Sequence, residues 1–92
     1  MKSKTINCFW RCYAELPKII QKQAKAIYRL FMIDPFHPSL HFKKIHSSRP
    51  IFSVRITKDY RAVGVLQDDE IIWFWIGSHS DYDKLIKRLR KA

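Results

Sequence analysis

The sequence predicts an α+β domain in which an N-terminal helical hairpin packs on a small antiparallel sheet of three to four strands, closed by a short C-terminal helix. Three observations carry this reading. Leu16, Ile20, Ala24, Ile27 and Phe31 recur at helical spacing, with Ile19, Ala26 and Leu30 widening the stripe. Three strand-like runs follow, separated by polar connectors of turn length. The chain then ends in a short basic segment of helical character. Ninety-two residues, 47% of them hydrophobic, suffice for one domain, 1–92, with one modest core.

Taken in order, residues near Cys8–Leu16 form a short helix, preceded by a brief edge strand around Lys4–Ile6. Pro17 suits the first turn of a second helix, where a missing N–H costs nothing. Lys18, Lys22, Lys25 and Arg29 cover that helix's outer face. It ends before Asp34-Pro35, because the proline ring disfavours helical dihedrals at the residue before it. After the loop DPFHPSLHFKKIHSSRP, Ile51–Ile56 alternates, with Phe52, Val54 and Ile56 on one side and Ser53 and Arg55 on the other. Tyr60–Leu66 and Ile71–Ile76 complete an antiparallel meander through Thr57-Lys58-Asp59 and Gln67-Asp68-Asp69-Glu70. The last run is apolar without interruption and reads as a strand buried on both faces. Gly77 stops it, Ser78 or Ser80 can cap a following helix, and Asp81–Lys91 is that helix.

Charge is the strongest compositional fact. Eighteen Lys and Arg against eight Asp and Glu leave +10. Such an excess repels itself in the compact state, and a polyanionic partner relieves it. The basic segments lack a strong one-sided apolar moment, no run approaches a membrane span, and the N-terminus lacks a signal-peptide core. No membrane partner is expected, and the expected location is cytoplasmic. Cys8 and Cys12 read as reduced, semi-buried thiols. There is no HExxH, no CxxC and no Gly-rich phosphate loop. No metal and no cofactor is expected.

What remains for chemistry is Arg, Lys, His and Tyr. If the first hairpin pairs Ile56 with Tyr60, Arg55 comes opposite Arg61 on the face of Ser53, away from the core. Like charges opposite in a ladder repel, so the pair either holds an anion or splays apart into solvent. Lys43 and Lys44 precede this sheet and would extend a basic groove, or form a solvated cluster. His37 and His41 read as structural or exposed, and His46, in a Ser-rich loop, is uninformative. His79 stands at the mouth of the most buried strand, and histidine ordinarily titrates near neutral pH. Tyr82, three residues on, offers a stacking face or a hydroxyl, or simply packs on the sheet.

The segments LPxxIQxxA (Leu16–Ala24), DPFHPSLHFKKI (Asp34–Ile45), FSVRITKDYRAVG (Phe52–Gly64) and WFWIGSHSDYDKLI (Trp73–Ile86) together resemble the RelE/ParE toxin superfamily of type II toxin–antitoxin systems. RelE-, HigB- and YafQ-like members are the most similar in look, and nearly the whole chain is covered. The resemblance implies the same small basic α+β fold. It also implies messenger RNA cleavage in the ribosomal A site without a metal, held in check by a wrapping antitoxin. Arg61 of the YR pair resembles the catalytic strand arginine of RelE-like enzymes. Arg55 falls where relatives carry a basic or histidine residue, and Asp59 matches either an acidic catalytic position or a turn residue. His79 of GSHSD resembles the histidine that serves YafQ-like enzymes. Lys43, Lys44 and Tyr82 match RNA-contacting positions, Tyr82 at an altered offset.

On this resemblance the ribose 2′-hydroxyl attacks the adjacent phosphate, a nucleophile that RNA has and DNA lacks. Arg55 and Arg61 hold the phosphate, His79 is the general acid, and Asp59 or a lysine among Lys43 and Lys44 is the base. The expected partners are a cognate acidic antitoxin and mRNA on the ribosome. A ParE-like poison of DNA gyrase with the same fold, or a non-catalytic nucleic-acid-binding module, are the alternatives.

Overall fold

A computed structural model describes residues 1–91. The elements run β1 (Lys2–Thr5), α1 (Asn7–Ala14), α2 (Lys18–Ile33), a 3₁₀ turn at Pro38–Leu40, β2 (Lys43–Lys44), β3 (Ile51–Thr57), β4 (Tyr60–Gln67), β5 (Glu70–Ser78) and α3 (His79–Lys91). The sheet has five strands in the order β1-β5-β4-β3-β2. The expected meander is its centre. The edge strand expected around Lys4–Ile6 starts two residues earlier and pairs with β5 in parallel, Lys2 beside Glu70. The other edge goes beyond the sequence reading, with Lys43 and Lys44 forming a two-residue strand on β3. The sheet is therefore mixed.

The helical hairpin packs as its stripe requires. Phe31 is almost fully buried and meets Phe42 and Trp73 edge-on at 5.1 and 5.3 Å. The Gln21 side-chain amide donates to the carbonyls of Tyr13 and Leu16, which satisfies the end of α1 and fixes the hairpin corner. The second helix stops at Ile33, with the Asp34 N–H donating to the Leu30 carbonyl before Pro35.

β5 is covered on both faces, as its apolar run implies, but through a bulge. The β4–β5 register shifts between Val63 and Gly64, so that Val63 faces Trp75 while Gly64 faces Trp73. Ile71, Trp73 and Ile76 consequently all pack under the helical hairpin, and Phe74 and Trp75 both turn to the cluster formed with Val63, Tyr82 and Leu85 of α3.

Two boundaries differ from expectation. Gly77 does not stop the strand; it lies within β5, and no glycine has a positive φ. Its role is spatial, since a Cβ there would lie 2.7 Å from the Trp75 indole. The last helix begins at His79, two residues early, because the Ser78 hydroxyl accepts the Asp81 N–H at 3.3 Å.

Candidate active site

The face of the sheet opposite the helical hairpin carries the candidate residues. Arg55 and Arg61 are direct partners in the β3–β4 ladder, as expected. The hairpin closes differently from the assumed register: Thr57 pairs with Tyr60 and Ile56 sits in a bulge, so the turn is Lys58-Asp59 alone. The bulge lets Ile56 stay in the core while Arg55 keeps the Ser53 face. Ser53 is 1% exposed on that face, and Lys43 is its ladder partner on β2, so Lys43 shares the face. Lys44 pairs with Phe52 and belongs to the other face. The structure thus brings Lys43, Arg55 and Arg61 to one side and separates Lys44 from them.

Arg61 is not a free surface arginine. Its Nη1 donates to the carbonyls of Thr57 at 2.6 Å, Tyr60 at 3.1 Å and Lys58 at 3.4 Å, gathering the hairpin turn around one end of the guanidinium. Arg55 takes no part in this clasp. Among the described residues no carboxylate lies within ion-pair distance of either arginine. Two adjacent cations without a counter-ion form a ready anion site.

His79 is tied to the same turn through the backbone. Its N–H donates to the Asp59 carbonyl at 2.7 Å, while Arg61 pairs with Gly77 two residues upstream. The imidazole is about half exposed, stacks on Tyr82 at 5.9 Å and 21°, and lies 3.8 Å from the Asp83 carboxylate. Asp59 is exposed, with its N–H donating to Thr57 Oγ1. Turn, arginine and histidine are therefore one bonded unit.

Tyr82 is 7% exposed, with its hydroxyl donating to Ser53 Oγ at 3.4 Å and its ring against Trp75. A buried ring offers little face to a base, so the packing alternative describes it better than the stacking one. One residue that the sequence reading passed over has a clear place. His46 Nδ1 accepts the N–H groups of Ser48 and Arg49, and its Nε2–H donates to the Leu89 carbonyl at 3.1 Å. These bonds fix its tautomer and pin α3. Nothing in the Ser-rich loop signals a partner forty-three residues away.

An open groove of about 420 Å³ adjoins this end of the sheet, lined by Arg11, Glu15, Tyr60, Gly77, Ser78 and Asp81 among others. Arg55, Arg61 and His79 do not line it, so the candidate site is the part of the α3-side sheet face beside the hairpin turn. Among the described residues no cluster of three or more His, Cys, Asp or Glu is placed to hold a metal ion. No helix among them is long and apolar enough to cross a membrane.

Residues 18–84 match the model of the ParE-like toxin domain. This chain belongs to the ParE-like toxin domain family. Comparison with curated proteins returns no match. Among solved structures, the chain is similar to the RelB–RelE antitoxin–toxin complex from Methanococcus jannaschii, with a TM-score of 0.71 at 22% identity over 87% of this chain and 95% of that one. The YoeB/ParE toxin from Agrobacterium tumefaciens gives 0.67 at 16% identity, covering 86% and 99%. YafQ from Escherichia coli BL21(DE3) gives 0.66 at 14% identity, covering 88% and 96%. At these identities the likeness is one of fold, and the RelE-like α+β architecture expected from the sequence is what this ParE-like domain has.

Proposed function

We propose that this ParE-like domain is the toxin of a toxin–antitoxin pair and cleaves messenger RNA, in the ribosomal A site, without a metal. One observation carries the reading: Arg55 and Arg61 stand side by side on an open face, and the turn that Arg61 clasps also binds the backbone of His79.

In this reading both guanidiniums receive the scissile phosphate, Arg61 through the donors its clasp leaves free. The clasp preorganises the fork, which lowers the cost of ordering it around charge that develops in the transition state. The ribose 2′-oxygen attacks phosphorus and yields its proton to the base, Asp59 or Lys43. The bond from phosphorus to the 5′-oxygen breaks, and His79 protonates that oxygen as it leaves. The products are a 2′,3′-cyclic phosphate and a 5′-hydroxyl. Tyr82 stacks on the imidazole and sets its orientation. Lys44, on the far face, would contact RNA only beyond the reacting phosphate.

Primer extension on mRNA from cells expressing the wild type or His79→Ala tests this. Cleavage within translated codons that disappears in the variant is expected. Growth arrest and cleavage at wild-type level in both His79→Ala and Arg61→Ala would overturn it. The family's ParE-like description favours a second reading, a gyrase poison. Toxicity that survives both substitutions without mRNA cleavage would support that reading.

A further inference from the structure

The groove at the end of the sheet holds groups that the proposed chemistry leaves unused. β1 covers β5 only as far as Trp73, the partner of Thr5. From Trp75 to Ser78 the strand therefore has β4 on one side and the groove on the other. Arg11 and Glu15 stand on the far wall, one helical turn apart and both exposed. Among the described residues neither forms an ion pair, with the other or with any third group. The near wall is aromatic. Trp75 is only partly buried, and its indole leans over Gly77 so closely that a Cβ there would lie 2.7 Å from Cζ2. Gly77 is the ladder partner of Arg61, which is itself the partner of Arg55. The bare glycine lets the indole reach the row that holds both arginines, one strand spacing, about 4.8 Å, from Arg61.

The charges select the occupant. Carboxylates of Glu15 and Asp81 flank the groove, so a bare phosphate is repelled from it while a neutral ring bearing N–H donors is favoured. Asp81 already faces Lys84 at 4.0 Å, which leaves Glu15 as the free acceptor. A carboxylate accepts two hydrogen bonds side by side. Of the four RNA bases, guanine alone offers two adjacent donors, N1–H and N2–H, on one edge, and its O6 and N7 match an arginine fork. Adenine and cytosine place a ring acceptor beside their amino group, and uracil sets one N–H between two carbonyls. Each would turn a lone pair toward Glu15. We infer that the groove is a guanine subsite. The base stacks on Trp75, its N1–H and N2–H donate to Glu15, its O6 accepts from Arg11, and its 5′-phosphate rests on Arg61 and Arg55. The binding stands on these groups alone. Its use rests on the nuclease reading, in which His79, next in the chain to Ser78 of the groove, protonates the 5′-oxygen of this same nucleotide. The selected guanosine is then the one that follows the cut.

Guanosine 5′-monophosphate is that fragment of the strand, and titration calorimetry on the full chain measures its binding. It should bind at least about tenfold more tightly than the adenosine, cytidine or uridine 5′-monophosphate. Inosine 5′-monophosphate, which lacks the N2 amino group, should fall between. Glu15→Gln and Arg11→Ala should each bring the ratio of guanosine to adenosine binding to within about threefold of one. Arg61→Ala should weaken all the nucleotides alike. Circular dichroism of the Glu15 and Arg11 variants, whose positions are exposed, establishes that they fold. A trinucleotide RNA with an inner guanosine, and a 2′-deoxy sugar before it to prevent cleavage, should displace guanosine 5′-monophosphate. Equal binding of all the nucleotides, or a preference that survives both substitutions, overturns the subsite. Guanosine 5′-monophosphate that the trinucleotide fails to displace overturns the RNA strand as its source. Primer extension alongside separates the two readings: guanine-selective binding without cleavage sinks only the nuclease, and cleavage with no preference for a following guanosine sinks only the subsite.

Discussion

Arg61 Nη1 lies 2.6 Å from the Thr57 carbonyl, so the arginine proposed to hold phosphate also closes the turn that precedes it in the chain. Structure and proposed chemistry meet in one side chain. Arg61→Ala should therefore lower stability by about 1.5–3 kcal/mol, the worth of hydrogen bonds to a charged group. Cleavage should fall by about 10²–10³. Chemical denaturation and primer extension on the same variant measure both. An Arg61→Lys variant restores charge without the fork, and should recover little of the cleavage.

His79→Ala is the complementary case. The ring is half exposed and the bond to Asp59 uses only backbone, so stability should change by less than about 1 kcal/mol. Cleavage should be lost. A thermal melt within a few degrees of wild type, beside an inactive enzyme, is the expected pair of results.

Tyr82→Phe removes the hydroxyl that donates to Ser53 Oγ and leaves a buried oxygen without that partner. A loss of about 1 kcal/mol is expected, which lowers the midpoint of thermal unfolding by about 4–8 °C. Ser53→Ala in the Tyr82→Phe background should cost little more than Tyr82→Phe alone, because the two groups serve each other.

Gly77→Ala places a methyl 2.7 Å from the Trp75 indole, in the strand that leads directly to His79. The ring must move, at a cost of about 1–3 kcal/mol. A shift in tryptophan fluorescence together with reduced cleavage would report that displacement.

His46→Ala removes the acceptor of two loop N–H groups and the donor to the Leu89 carbonyl. Amide exchange in the C-terminal half of α3 should quicken, with global stability lower by about 1–2 kcal/mol. Unchanged exchange there would show that Leu85 and the sheet hold the helix without the clasp.

Much of this was readable in advance because the deciding signals are local. The stripe from Leu16 to Phe31, the proline that ends α2 and the alternation through β3 each repeat at short range. The Arg55–Arg61 pairing followed from a turn a few residues long, and it held although the turn proved one residue shorter, because the Ile56 bulge absorbed the difference. What escaped is non-local. The parallel pairing of the expected edge strand, and its place at Lys2–Thr5, rest on contacts with Glu70–Trp73, and two residues at Lys43–Lys44 are too few to show a period. The roles of Gln21, His46 and Gly77 depend on a carbonyl or a ring that only the folded chain supplies.

The pairing of β1 with β5 also bears on the order in which the protein is made. Synthesis runs from the N-terminus, so Lys2–Thr5 emerges with nothing to pair against, and its partner strand emerges only after two helices and three other strands. Closing so long a loop is slow and unrewarded until its far end arrives. That far end is β5, which runs without a break into His79. Completion of the sheet and placement of the proposed acid therefore fall in one late step of folding.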